Sequence, residues 1–516
     1  MNRSAAAGPL TRIMGMRTGS WAACSLAALM LAGCAVGPDF HTPAAPVVKG
    51  YTPTPLPEQT TSADVQGGQA QTFIPGRDIP GQWWTLFHSK ALNSLIVEAL
   101  KANPDLQAAK ASLRQAQETV YAGEGTLVPS IDAKGTATRQ KTSGAQFGRP
   151  GAAGSLYTLY DASVNVSYGI DLFGYDRRSL ESLESQADYQ RFQLEAAYLT
   201  LTSNVVITAV QEASLRSQIA ATEQIIASEA QQLDILQQQY KAGAVSLADV
   251  LAQRTTLAQS RATLPPLQKQ LAATQNLLAT LAGNFPSQGQ DEAFELAALQ
   301  LPAELPVSLP SKLVRQRPDI RAAEAQLHEA SAKIGVATAS MFPQLTLSGS
   351  YGSVGTRTAD LFTPSSEIWN LGAGLLQPIF RGGTLLHERR AAVAAYDKAA
   401  AQYRSTVLTA FRNVADTLRA LQSDADALSA QSQAEQAASD SLKLAKDQFK
   451  AGAVSYVVLL NAEKAFEQAR IGLVQAQATR YADTAALFQA LGGGWWNRDD
   501  VSSAKETAAQ KTADSK

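Results

Sequence analysis

Cysteine is almost absent. Only Cys24 and Cys34 occur in 516 residues, and Cys24 sits inside an apolar N-terminal run. With Cys24 removed along with that run and Cys34 acylated, both expected from the N-terminal sequence, no thiol is left for a disulfide, a metal or a nucleophilic role. Histidine is nearly as scarce. His41, His88, His328 and His387 stand far apart without ligand spacing, and the two on helical segments, His328 and His387, read as helix-surface residues. No G-x-S-x-G, phosphate loop or paired-carboxylate signature occurs, so the chain reads as no enzyme and as binding no cofactor. Charged residues make up 17% and the net charge is -1, which leaves no basic footprint for nucleic acid. Beyond Cys34, no apolar run reaches the ~18 residues of a spanning helix.

What is present begins with an address. Arg3, Arg12 and Arg17 precede an apolar stretch from Trp21 to Ala32, which ends in Leu31-Ala32-Gly33-Cys34. A basic region, a short apolar region and small residues before the cut make a secretory signal, with Met14 or Met16 as alternative starts. The Leu-Ala-Gly-Cys ending resembles a bacterial lipobox. It implies cleavage after residue 33 and acylation of Cys34, and Ala35, in place of Asp, fits sorting to the outer membrane. Several acyl chains anchor stably, since each buried methylene contributes about 0.8 kcal/mol. Residues 34–80, rich in Pro, Thr and Gly, read as an extended lipid-anchored segment. Residues 497–516 read as a disordered polar tail.

The body is written twice. Asn103-Pro104-Asp105-Leu106 matches Arg317-Pro318-Asp319-Ile320, an offset of 214 between the prolines, and Val128-Pro129-Ser130 matches Phe342-Pro343-Gln344 at the same offset. Lys241 to Ser246 is identical to Lys450 to Ser455 at offset 209. The repeats are residues 81–300 and 301–496. Each is expected to hold a helix (Ala91 to about Thr126; Ser311 to about Ser340), two strands and a long helical hairpin.

Tyr160 to Leu172 alternates. Tyr160, Ala162, Val164, Val166, Tyr168, Ile170 and Leu172 share one face, and Asp161, Ser163, Asn165, Ser167, Gly169 and Asp171 share the other. That period marks a strand with one apolar and one polar face. With strands near 129–140, 343–353 and 367–380, four segments have about the 9–11 residues of a tilted membrane strand. A soluble sheet with one buried face would show the same alternation. In lipid, four strands cannot close on themselves, and open edges are not tolerated there, so several chains would have to pool them. Three chains would give twelve strands.

Gly174 to Gly243 and Gly383 to Gly452 lack proline. Each predicts a helix of roughly 100 Å at 1.5 Å per residue. Ile219, Ile226, Leu233 and Tyr240 fall seven apart, as do Val250, Leu257, Leu264, Leu271 and Leu278. The second copy repeats this with Leu428, Leu442 and Phe449, interrupted by Glu435, and with Leu459, Phe466, Leu473 and Leu487, interrupted by Arg480. Heptads of this kind predict antiparallel coiled hairpins, 174–283 and 384–491, the first kinked at Pro265-Pro266. Gly243 and Gly452 suit the left-handed end of the descending helices. Ser246 and Ser455 suit the N-caps of the returning ones, and Asp249 completes a capping box with Ser246.

Together these features resemble the TolC-like outer-membrane factor family, in the lipoprotein branch serving RND-type efflux pumps. The carrying segments are Cys34-Ala35-Val36-Gly37-Pro38-Asp39-Phe40, Gln82-Trp83-Trp84-Thr85-Leu86-Phe87, Asn103-Pro104-Asp105-Leu106, the two Ala-Gly-Ala-Val-Ser turns and Leu491-Gly492-Gly493-Gly494-Trp495-Trp496. The resemblance implies a mainly α protein with membrane β. Its homotrimer would set a twelve-stranded β-barrel in outer-membrane lipid on a twelve-helix α-barrel. The hairpin turns, with Tyr240, Gly243, Ser246, Phe449, Gly452 and Ser455, would form the periplasmic entrance and meet a periplasmic adaptor and, through it, an inner-membrane RND transporter. Relatives narrow that entrance with acidic residues. Asp249 holds such a place here. In the second copy Val458 and Asn461 stand where relatives often carry Asp, and Lys464 where some carry Arg, which implies one acidic ring instead of two. Two other uses are weighed against small-molecule efflux: a duct for type I protein secretion, and a periplasmic adaptor. An adaptor would carry one hairpin between split β domains, where this chain has two.

Overall fold

The structure is a computed structural model and describes residues 35–148, 150–151, 153–288 and 293–501. Cys34, the signal and residues 502–516 lie outside these described residues. The helices are α1 (Lys90–Ala102), α2 (Pro104–Glu124), α3 (Tyr175–Lys241), α4 (Leu247–Leu281), α5 (Pro310–Gln316), α6 (Pro318–Ala339), α7 (Thr384–Lys450) and α8 (Tyr456–Ala490). The strands are β1 (Thr72–Pro75), β2 (Ser130–Lys141), β3 (Leu156–Ile170), β4 (Glu304–Val307), β5 (Gln344–Gly355) and β6 (Glu367–Leu376). The chain divides into two compact units. One holds residues up to Thr42, Gln115–Asp188 and Ala325–Ala401, and the other holds the remainder.

The first helix of each repeat is two helices, not the single one expected. Asn103 and Arg317 are extended, both with ψ 124°, because a following proline ring crowds the helical conformation of the residue before it. Pro104 and Pro318 then open α2 and α6, where the missing N–H costs nothing. Asn103 Oδ1 accepts the Leu106 amide at 3.1 Å and so caps α2. Pro265 and Pro266 lie inside α4, which continues through them to Leu281.

In the first unit, the four long strands form one antiparallel sheet in the order β2-β3-β5-β6. Its register sorts the side chains. Ile131, Val166, Gly349 and Leu371 stand in one row across the sheet, and Ala133, Val164, Tyr351 and Trp369 in another on the same face. Asp132, Asn165, Ser350 and Asn370 form a row on the opposite face. The apolar face is bare. Ile131 and Trp369 are each 70% exposed and Leu371 82%. Strand β3 begins at Leu156, four residues before the alternation starts, and ends at Ile170, two residues short of its expected end, where the Leu172 amide turns back to the Ile170 carbonyl; β6 ends at Leu376, where Pro378 follows.

Beside this sheet the N-terminal segment is pinned. The Val36 amide donates to the Phe173 carbonyl at 3.0 Å. Gly37 (φ +104°) packs against Gly335 so closely that a Cβ would meet its Cα at 2.5 Å. Buried Arg178 donates to Asp39 and to Glu181, each at 2.7 Å. His328, expected as a plain surface residue, stacks on Phe40 at 4.3 Å and lies 2.9 Å from the Glu181 carboxylate.

The second unit holds the main core. Trp83 stacks on Phe488 at 5.2 Å and meets Trp84 and Phe87 edge-on, all four rings being buried with Leu92, Ile96, Val206, Leu421 and Leu487. The Pro-rich segment is less independent than its composition predicts. Tyr51 and Leu56 pack on this core, the Tyr51 hydroxyl donates to the Ser308 carbonyl at 2.8 Å, and β1 pairs in parallel with β4. The start of the expected disordered tail is also held in place. Asn497 donates to the Ile79 carbonyl at 2.7 Å, and Arg498 lies over the Tyr198 ring and donates to Glu195 at 2.6 Å.

Candidate functional site

Both hairpin turns are built alike. Gly243 and Gly452 take φ +76° and +72°, conformations that any Cβ would strain. Ala244 N–H reaches back to the Gln239 carbonyl and Ala453 N–H to the Gln448 carbonyl, each at 2.9 Å. These 6→1 bonds close the last helical carbonyls of α3 and α7.

The returning helices start differently. Ser246 Oγ accepts the Asp249 amide at 3.2 Å, while Asp249 Oδ2 accepts from the Ser246 amide at 3.0 Å and from its hydroxyl at 2.7 Å. This is a complete capping box. Ser455 occupies the matching N-cap but makes no side-chain cap bond. Its third following residue is Val458, which has no carboxylate to return the interaction. Asp249 is half-buried, while Asn461 and Lys464, three residues apart on α8, are exposed.

Just inside the turns the two hairpins share a small core. Leu236 and Val250 of the first pack with Ala445, Tyr456 and Leu459 of the second, flanked by Leu233, Leu442 and Phe449. Phe449 meets Tyr456 edge-on at 6.0 Å. Tyr240 projects into solvent at 44% exposure. The structure therefore gathers Phe449 into the hairpin core and leaves Tyr240, Asn461 and Lys464 outside it.

Sequence reasoning missed the polar link between hairpins. The Tyr456 hydroxyl donates to Gln253 Oε1, and Gln253, fully buried, passes its Nε2 to the Glu229 carbonyl at 3.0 Å. Glu229 in turn accepts from Ser260 at 2.9 Å. Burial raises the pKa of both Tyr456 and Glu229 above the ordinary values. The only signal in the sequence is polar residues at positions that the heptads leave between their apolar members. Among the described residues no group of three or more His, Cys, Asp or Glu could hold a metal ion.

Comparison with known proteins finds relatives along most of the chain. The family described as "Outer membrane efflux protein" matches residues 95–284 and 309–493, one match per repeat. The pyoverdine export outer membrane protein OpmQ of Pseudomonas aeruginosa is 33% identical over 86% of this chain and 94% of its own length. The toluene efflux pump outer membrane protein TtgC of Pseudomonas putida is 30% identical over 92% and 95%. The solved structure of the outer-membrane channel OprN superposes with a TM-score of 0.78 at 27% identity, covering 90% of this chain and all of that one.

Proposed function

The chain belongs to the outer membrane efflux protein family, and from that premise we propose how one four-stranded sheet and two hairpins make a duct. The protein is an outer-membrane efflux channel. The carrying observation is the sheet with a bare apolar face and two edges, β2 and β6, that pair with nothing among the described residues. In lipid each unpaired backbone group costs several kcal/mol, so the edges must meet those of other copies. Eight strands would give a barrel filled by its own side chains. Three copies give twelve strands, with Asp132, Asn165, Ser350 and Asn370 lining a wet lumen, the pattern of a membrane barrel. The same three copies bring twelve long helices, α3, α4, α7 and α8 from each, which form an α-barrel across the periplasm.

Cys34 carries the lipid in this reading. The tether from Val36 to Phe40, held by Phe173 and Arg178, keeps that anchor beside the end of β3. The turns form the entrance, where Tyr240, Gly243, Ser246, Phe449, Gly452 and Ser455 meet a periplasmic adaptor and, through it, an inner-membrane RND pump that supplies the energy. Small molecules are the cargo favoured by the names of the relatives, pyoverdine and toluene exporters; protein secretion is the alternative. The native mass of the detergent-extracted full-length protein tests this. Three mature chains, each starting at an acylated Cys34, are expected. An unlipidated soluble monomer would overturn both the barrel and the anchor, and return the hairpins to an adaptor role.

Asp249, set against Asn461 and Lys464, is the acidic member of the entrance. Three copies around a pore concentrate negative potential. Asp249→Ala is expected to raise single-channel conductance in planar bilayers and to cost about 1 kcal/mol through the lost cap. Unchanged conductance with lowered stability would leave Asp249 the cap alone.

A further inference from the structure

Above the hairpin core lies a cavity of about 110 Å³, lined by Glu229 of α3, Lys446 of α7, and Glu463 and Arg470 of α8, with Ser228 and Phe466. Glu463 is 8% exposed and Glu229 3%. Neither carboxylate oxygen of Glu463 has a hydrogen-bond partner, and Glu229 keeps one bare oxygen, Oε2. The cationic groups nearby do not match them. Lys446 donates to Ser228 Oγ at 3.3 Å, and Arg470 is bound to Glu435 at 3.1 Å. Lys464 and Glu467 flank the site on α8 and oppose each other in their effect on Glu229. From α4, Ser260 bonds Glu229, and the charges of Glu463 and Glu229 both act on the Tyr456 hydroxyl of α8. With both acids ionised, two carboxylates face the cavity against Lys446.

A carboxylate buried without a partner is costly and is relieved by taking up a proton. We propose that Glu463, backed by Glu229, is a proton-binding site that sets how tightly the two hairpins pack next to their turns. A neutral Glu463 lets α3, α7 and α8 close around the cavity, and an ionised one draws in water and loosens them. Burial, reinforced by Glu229 and opposed by Lys446, pushes the Glu463 carboxyl up to about 7. A raised carboxyl pKa means that the packed state holds a proton which the loosened state has released. Packing therefore weakens as pH rises from the ordinary carboxylate range to about 7, by up to tenfold per pH unit, and levels off above that.

The test uses the full-length protein in detergent and two readouts. Amide hydrogen exchange, corrected for its own chemical pH dependence, follows residues 225–236 and 456–470. Infrared difference spectra follow the carbonyl band of a protonated carboxyl. In the parent protein, protection should fall by up to tenfold per pH unit between pH 5 and 7, while the carboxyl band persists until it is lost through about pH 7. Glu463→Gln keeps the shape of the neutral acid. It should hold low-pH protection across the range and lose the Glu463 component of the band, seen as the difference between parent and variant spectra. A parent protein with no slope, or a slope that survives in Glu463→Gln, would overturn the proposal. The contacts lie within one chain, so this result is independent of the trimer and the lipid.

Discussion

Val166→Arg is expected to abolish assembly of the membrane-embedded channel, while Asn165→Arg, one residue away, leaves it in place. The two positions lie on opposite faces of β3. Val166 stands between Ile131 and Gly349 in an apolar row, and Asn165 between Asp132 and Ser350 in a polar one. An arginine on the lipid face near the bilayer midplane costs about 2–4 kcal/mol. In a barrel of three copies that cost is incurred three times, roughly 6–12 kcal/mol, which rivals the whole stability of an ordinary domain. An arginine facing a watery lumen meets no such cost. The measurement is the amount of folded oligomer in outer-membrane fractions, compared for the two variants. Equal tolerance would mean that the apolar face is covered by protein in the assembled state, and the membrane barrel would be lost with it.

That contrast is possible because β3 was legible in advance. A strand with a different solvent on each side must alternate, so Tyr160 to Ile170 declared both its structure and its faces. The helical hairpins and their glycine turns were legible for a similar reason: a seam of fixed period and a positive φ leave few residues to choose from. Short elements gave no such sign. β1 and β4 are four residues each, both contain proline, and they pair across more than two hundred positions, so no local pattern announces them. The double break at Pro104 and Pro318 was in plain view, but proline suits a helix start as well as a helix end. At the hairpin ends, the sequence located the turns and the Ser246–Asp249 cap. It could not find Tyr456, Gln253 and Glu463, because their meaning depends on which side chain of the other hairpin lies opposite.

Arg480 shows how far a seam can mislead. By heptad count it interrupts the apolar stripe of α8, yet it is fully buried. Its Nη2 donates to Thr60 Oγ1 at 3.0 Å and to the Gln69 carbonyl at 2.6 Å, so it ties the N-terminal segment to the helix. Its charge also acts on Asp424 of α7. Burial, helped by Asp483 alongside, pushes the Asp424 carboxyl up to about 7, and Arg480 opposes that shift. Removing Arg480 takes away two hydrogen bonds from a charged donor, each contributing about 1.5–3 kcal/mol. Arg480→Met preserves much of the side-chain volume and should cost that amount. The loss must also depend on pH. With its carboxyl raised, Asp424 stabilises the folded state when protonated, and that contribution declines as pH climbs from the ordinary carboxylate range to about 7. Without Arg480 the carboxyl rises further, so the decline continues past neutrality. Urea midpoints at pH 5 and pH 8 separate the causes. A deficit that grows towards pH 8 identifies the charge of Arg480 as the missing component. An equal deficit at both values assigns the loss to the bonds with Thr60 and Gln69, and a deficit below about 1 kcal/mol would mean that the buried arginine holds nothing together.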